Sequence, residues 1–129
     1  MTVPVIAIIE DDLAIVQMFD LLLRDAGYRV ISYTRGSDAQ QFLLRTMPDL
    51  LILDWWLEDP SSGATILSFL EEDSRTRQIP VIVCSAHINT LHQEEARLRE
   101  RGYRLLAKPF EIHTLLAYIQ DAIGTPLPT

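Results

Sequence analysis

Leu50-Leu51-Ile52-Leu53-Asp54-Trp55-Trp56 is the stretch on which the fold turns. Four consecutive large apolar residues, too few to span a membrane, fit a strand buried on both faces, as in the middle of a parallel sheet. An acid then ends the run. In open α/β sheets ligand chemistry collects at the carboxyl ends of the strands, which puts Asp54 where a reactive group meets solvent. Asp is also a common turn former, so a second reading has Asp54 only starting the turn that follows.

Working outward, the segment before this strand repeats its logic. Val3 to Ile9 is β-branched and apolar and stops at Glu10-Asp11-Asp12, so acids again follow a strand. Ile15, Val16, Phe19, Leu22, Leu23 and Ala26 then recur at helical spacing, with Asp12 as N-cap and Gly27 as the stop. Tyr28 to Tyr33 reads as a second strand. Ser37-Asp38-Ala39-Gln40 matches a capping box opening a helix through Phe42, Leu43 and Met47 until Pro48.

Beyond the central strand, Leu57 to Gly63 is a polar, turn-rich loop, and Ile66, Leu67 and Leu70 mark the helix after it. Pro80 to Cys84 is a fourth buried strand ending at Ser85-Ala86-His87. Thr90 to Arg101 is helical but mostly charged, with only Leu91, Ala96 and Leu98 as an apolar face, so it is expected to dock most weakly. Tyr103 to Ala107 is a fifth strand ending at Lys108-Pro109, and Leu115, Leu116, Ile119 and Ile123 stripe the last helix. Residues 1–123 thus form one domain, and 124–129 a flexible tail or the start of a linker. Five βα units imply an α/β fold, a doubly wound five-stranded parallel sheet with right-handed crossovers. All strand ends then meet on one rim, which gathers Glu10, Asp11, Asp54, Ser85 and Lys108.

Composition narrows the function. The 129 residues are 48% hydrophobic and 22% charged, with a net charge of -7. That profile is globular, and it lacks the clustered Lys and Arg that direct nucleic-acid binding requires. One cysteine, Cys84, permits no internal disulfide and reads as a small buried hydrophobe. Neither a membrane span nor a signal peptide is legible, so a cytoplasmic location is expected.

Three carboxylates within about 5 Å repel by roughly 3 kcal/mol per pair at an effective dielectric near 20, so the rim needs positive charge. A divalent cation together with Lys108 balances Glu10, Asp11 and Asp54 and leaves the site ready for an incoming phosphoryl group. Few carboxylates with retained waters suit Mg²⁺, whereas Cys84 and the three histidines form no zinc pattern.

These residues resemble the receiver domain of two-component response regulators over essentially the whole chain. Glu10-Asp11-Asp12, Asp54, Ser85-Ala86 and Lys108-Pro109-Phe110, in that order, carry the resemblance. It implies a flavodoxin-like (βα)5 fold with strand order 2-1-3-4-5. It also implies that Asp54 is the phosphoacceptor, attacking a phosphohistidine on a histidine kinase or a histidine phosphotransfer protein to form an acyl phosphate. Asp11, Asp54 and the main-chain carbonyl of Trp56 would ligate Mg²⁺, with Glu10 acting through water. Lys108 and the Ser85 hydroxyl would hold phosphoryl oxygens, and the Lys108-Pro109 bond would be cis. Asp12 keeps two readings, a helix cap and a site acid. His87 is either a solvated loop residue or a neighbour of the phosphoryl group. Trp55 reads as packed core or rim, and His92 and His113 as surface positions.

Three departures stand out. Leu105 occupies the position of an aromatic switch residue, which puts the usual two-state readout in doubt. Glu58 replaces a common proline, and Gly63 sits one residue late. Trp56 and His87 flank the expected path of a hydrolytic water and would alter the lifetime of the phosphoryl group.

The leading expectation is a phosphoacceptor that catalyses only its own phosphorylation and dephosphorylation. It would be a monomer or weak dimer, act without an attached output domain, and contact a downstream protein through the face of its fourth helix, fifth strand and fifth helix. A phosphorylation-insensitive interaction module is the alternative. A Mg²⁺-dependent phosphohydrolase ranks last, because the short loops offer no lid.

Overall fold

A computed structural model describes residues 3–34, 39–55, 62–85 and 92–124. In chain order the elements are β1 (Val5–Ile9), α1 (Leu13–Asp25), β2 (Arg29–Tyr33), α2 (Ala39–Thr46), β3 (Leu50–Asp54), α3 (Ser62–Glu72), β4 (Val81–Ser85), α4 (His92–Glu100), β5 (Arg104–Ala107) and α5 (Ile112–Ile123). The five strands form one parallel sheet in the order β2-β1-β3-β4-β5. The expected doubly wound architecture and strand order are both present.

The central strand behaves as its composition demands. All five residues of β3 are buried, and its four apolar side chains alternate between two cores. Leu51 and Leu53 join Ala7, Ile9, Val83, Phe42, Ile66, Leu67 and Leu98 on the side of α2, α3 and α4. Leu50 and Ile52 join Ile6, Ile8, Ile82, Phe19, Leu23, Leu115 and Ile119 on the side of α1 and α5. Period-two alternation therefore feeds both helical layers at once, which is why β3 shows no polar face.

Several boundaries differ from the sequence reading, each for a local reason. β1 begins at Val5 because Pro4 has no N–H to give; its carbonyl instead accepts from Arg29 N at 3.0 Å, and Val5 N donates to Asp49 Oδ2 at 2.7 Å. Pro80 likewise lies just outside β4 yet accepts from Leu51 N at 2.9 Å. β2 and β5 start one residue later than expected, and Tyr28 and Tyr103 serve as the approaches. Asp12 does cap α1, its Oδ1 accepting from Ala14 N at 2.9 Å, and Gly27 follows the helix with φ 98°.

Met47, expected within the stripe of α2, is exposed. It takes φ 43° just past the helix end, where Pro48 prevents another helical turn. Ser37 and Asp38 of the expected capping box lie outside the described residues. On α5, Leu115 and Ile119 are buried while Leu116 and Ile123 are only partly so.

α4 departs most from its expected apolar face. Ala96 is exposed, leaving Leu98 as the one buried side chain among residues 95–100; the side chain of Leu91 lies outside the described residues. Two arginines and two glutamates on that stretch favour solvent, so little apolar surface is left to dock the helix.

Candidate functional site

The strand order reverses between β1 and β3, so the carboxyl ends of these neighbours open the crevice where α/β sheets place their ligands. Glu10 and Asp11 follow β1 there, and Asp54 ends β3. One carboxylate oxygen from each of the three lies within 4.8 Å of the others. Glu10 and Asp54 are buried, while Asp11 is exposed at the mouth.

Each acid is held by the backbone around it. Glu10 N donates to Tyr33 O at 3.1 Å, extending the β1–β2 ladder by one residue. Asp12 N donates to Glu10 Oε2 at 3.4 Å, while the Asp12 carboxylate is turned to the helix cap. Of its two sequence readings, the cap is the one with a bond behind it. Asp54 pairs with Cys84 in the β3–β4 register, and Trp55 N continues that ladder to Cys84 O at 2.9 Å.

The basic group follows β5 directly. Lys108 Nζ lies 2.5 Å from Glu10 Oε1 and 3.6 Å from Asp54 Oδ1, so one ammonium bridges two buried carboxylates. Lys108 N also donates to Ser85 O at 2.9 Å, which ties the ends of β4 and β5 together. The Lys108-Pro109 bond is cis, as expected. Phe110 stacks on Phe19 of α1 at 5.3 Å between centroids, anchoring the chain after Lys108.

Electrostatics follow from that crowding. Burial pushes the Glu10 carboxyl above the ordinary range, the hydrogen bond it shares with Asp54 pushes further, and Lys108 opposes both. Asp11 is raised too, by partial desolvation and then by Glu10. Burial works against the Lys108 ammonium, but the bond to Glu10 and the charge of Asp54 outweigh it and leave it raised. Cys84, fully buried beside them, is pushed to about 12 by burial, so it is a packing residue with no thiolate at neutral pH.

All five residues expected on the rim, Glu10, Asp11, Asp54, Ser85 and Lys108, come to one end of the sheet. Ser85 is fully buried there at the end of β4. Trp56, whose carbonyl was expected as a ligand, and His87 lie outside the described residues. His113 is exposed on α5 as expected, Trp55 is buried, and Leu105 is a buried aliphatic on the side of α2 to α4.

Sequence reasoning missed two features. The Lys108–Glu10 pair was overlooked because residues 98 positions apart carry no local pairing signal. A close approach of Gly63 to Trp55 was missed as well; the only trace in the sequence is a glycine where a helix begins.

A hard cation fits this donor set. Three clustered carboxylates offer oxygen ligands alone, and burial and then their mutual proximity raise two of them, a crowding that a cation would relieve. Among the described residues no helix is long and apolar enough to cross a membrane.

Comparisons with known proteins agree with this geometry. The response regulator receiver domain family matches residues 6–120. The polar-differentiation response regulator DivK of Brucella anthropi is 30% identical over 122 residues, covering 91% of this chain and 97% of DivK. The DNA-binding dual master transcriptional regulator RpaA of Synechocystis is 32% identical over 117 residues, covering 91% of this chain but 48% of RpaA. The chain thus spans nearly all of DivK and about half the length of RpaA. Among solved structures, the receiver domain of the sensor histidine kinase PA1611 from Pseudomonas aeruginosa superposes with a TM-score of 0.78 at 26% identity, covering 96% of this chain and all of that one. That structure has a magnesium ion coordinated in its active-site cleft.

Proposed function

We propose that this chain, which belongs to the response regulator receiver domain family, takes a phosphoryl group onto Asp54 from a phosphohistidine of a sensor kinase or a histidine phosphotransfer protein. The observation that carries the reading is Lys108 Nζ at 3.6 Å from Asp54 Oδ1, with Glu10 and Asp11 beside them. In the reaction an Asp54 carboxylate oxygen forms a bond to phosphorus, the P–N bond breaks, and the imidazole leaves with a proton.

Asp11 and Asp54 would hold Mg²⁺ directly and Glu10 through water, with the Trp56 carbonyl as a further ligand. The cation supplies neutralisation of the phosphoryl oxygens as they approach three carboxylates. Lys108 does its part by exchanging Glu10 for a phosphoryl oxygen, a short swing for a flexible point charge. Ser85, at the buried end of β4, donates to another oxygen. Asp12 stays with its helix.

The apolar groove of about 290 Å³ lined by Ile15, Met18, Pro109 and Phe110 adjoins Lys108 and gives the donor protein a surface beside the rim. The product signals by contact through the face of α4, β5 and α5, in the cytoplasm, and the chain turns over no outside substrate.

The test is intact mass after incubation with Mg²⁺ and acetyl phosphate or phosphoramidate, with amide spectra of α4 and α5 recorded in parallel. A gain of one phosphoryl group is expected, abolished by EDTA. Folded protein that gains no mass would mark a static interaction module. Mass gain without any change in the α4 and α5 amides would make the chain a relay that passes the group on.

A further inference from the structure

We infer that Gly63 is a positioning residue for the acid rim: by lacking a side chain it lets α3 bear directly on the main chain of Trp55 and so sets the place of Asp54. This rests on the reading of Asp54 as acceptor. A Cβ at position 63 would lie 2.8 Å from Trp55 O, 2.9 Å from Trp55 Cε3 and 3.0 Å from Trp55 Cα. Two of those three atoms are main chain, so no change of rotamer makes room. Gly63 has no positive φ, unlike Gly27, Gly102 and Gly124. Space, and not backbone conformation, is what position 63 requires.

Trp55 has nowhere to retreat. On its other side Trp55 N is bonded to Cys84 O at 2.9 Å, and Asp54 pairs with the same Cys84. The indole is buried in the core that also holds Ile66 and Leu67 of α3, so the helix cannot back away without opening a void. Pressure from position 63 is therefore relieved either at the Trp55–Cys84 bond or by moving Asp54. Both shift the acceptor relative to Glu10, Asp11 and Lys108, and displacements of this kind cost rate even when the fold survives.

The experiment compares Gly63→Ala with Ala64→Gly in the full chain. Ala64 is exposed on the same helical turn, and its replacement weakens α3 without touching Trp55. Mg²⁺ affinity is read by titration calorimetry, the amides of Asp54, Trp55 and Ser85 by NMR before Mg²⁺ is added, and stability by melting. Gly63→Ala is expected to move those amides and weaken both Mg²⁺ binding and phosphoryl uptake from acetyl phosphate about 10-fold or more. Ala64→Gly is expected to lower Tm and leave Mg²⁺ affinity unchanged. Equal Mg²⁺ affinity in wild type and Gly63→Ala, or equal weakening in both variants, overturns the inference.

If Gly63→Ala does not fold, Trp55→Phe/Gly63→Ala removes the ring contact and is set against Trp55→Phe alone. Weak Mg²⁺ binding that persists in the double variant supports transmission through the main chain; full recovery refutes it. Should wild type bind Mg²⁺ yet take no phosphoryl group, the acceptor reading falls, while the comparison of Mg²⁺ affinities still decides the role of Gly63.

Discussion

β3 and α4 contribute to the same core and are built on opposite terms. Every residue of β3 is buried, its backbone is laddered on both sides, and its terminal Asp54 is surrounded by Glu10, Lys108 and the end of β4. Among the described side chains of α4, only Leu98 is buried, and its charged residues face outward. Chemistry that needs carboxylates placed to fractions of an ångström belongs on the first kind of element, whereas a surface that changes partners belongs on the second.

The largest effect that tests this contrast is on the rim itself. Asp54→Asn should abolish phosphoryl uptake, a loss of more than about 100-fold by intact mass, because the amide has no carboxylate to attack with. Its melting temperature should not fall, since a buried carboxylate crowded by two others becomes neutral.

Next come the two elements as they meet in their shared core. Leu53→Ala should cost about 3–5 kcal/mol in denaturant unfolding, because the tightly laddered sheet cannot collapse around the void. Leu98→Ala should fall near the low end of such losses, about 2 kcal/mol, since a weakly docked helix can settle into the space. Hydrogen exchange should likewise run faster across α4 than across α1. Equal costs and equal protection would erase the difference between the elements.

The pH dependence has opposite signs at the rim and at the turn after α3. Glu10 and Asp11 have folded values raised above their ordinary 4.5 and 3.8, so the fold binds those protons more tightly than the unfolded chain does. Their contribution is fully present below those ordinary values and is lost as pH rises through the folded ones. Asp73, whose side-chain and main-chain bonds from Arg75 hold it down to about 2, acts in the opposite direction. Its contribution is present above about 3.8 and is lost as pH falls towards about 2. Melting curves should therefore show stability falling above pH 4.5 without Mg²⁺ and a flatter course with it, because the cation favours the ionised rim.

The smallest effect concerns the tether of α4. Tyr103 Oη donates to Glu71 Oε1 at 2.7 Å, and Arg101 Nη1 lies 3.2 Å from the same oxygen, fixing the C-terminal end of α4 to α3. Tyr103→Phe should cost about 1 kcal/mol in denaturant unfolding. It should speed exchange in α4 while leaving Mg²⁺ affinity at the rim unchanged.

How much of this was legible beforehand follows the same division. The run from Leu50 to Leu53 announced a doubly buried strand, and the acids after Ile9 and Leu53 announced the rim, because burial and strand ends leave local traces in composition. Lys108 could be placed on the rim by the same logic, but its bridge to Glu10 reaches across the ends of β3 and β4, which separate β1 from β5 in the sheet. The exposure of Ala96 was hidden because alanine suits either side of a helix. Met47 looked apolar at helical spacing, yet Pro48 made it a terminus. The contact between Gly63 and Trp55 is a matter of packing distance, which no spacing of residue types encodes.

The claim at the centre is that Asp54 carries the phosphoryl group, and borohydride trapping addresses it most directly. Protein treated with Mg²⁺ and acetyl phosphate is reduced, which converts an acyl phosphate to the corresponding alcohol, then digested and sequenced by mass spectrometry. We expect homoserine at position 54 alone, absent when Mg²⁺ is withheld. Reduction at another carboxylate, or none in folded protein that binds Mg²⁺, would contradict the account.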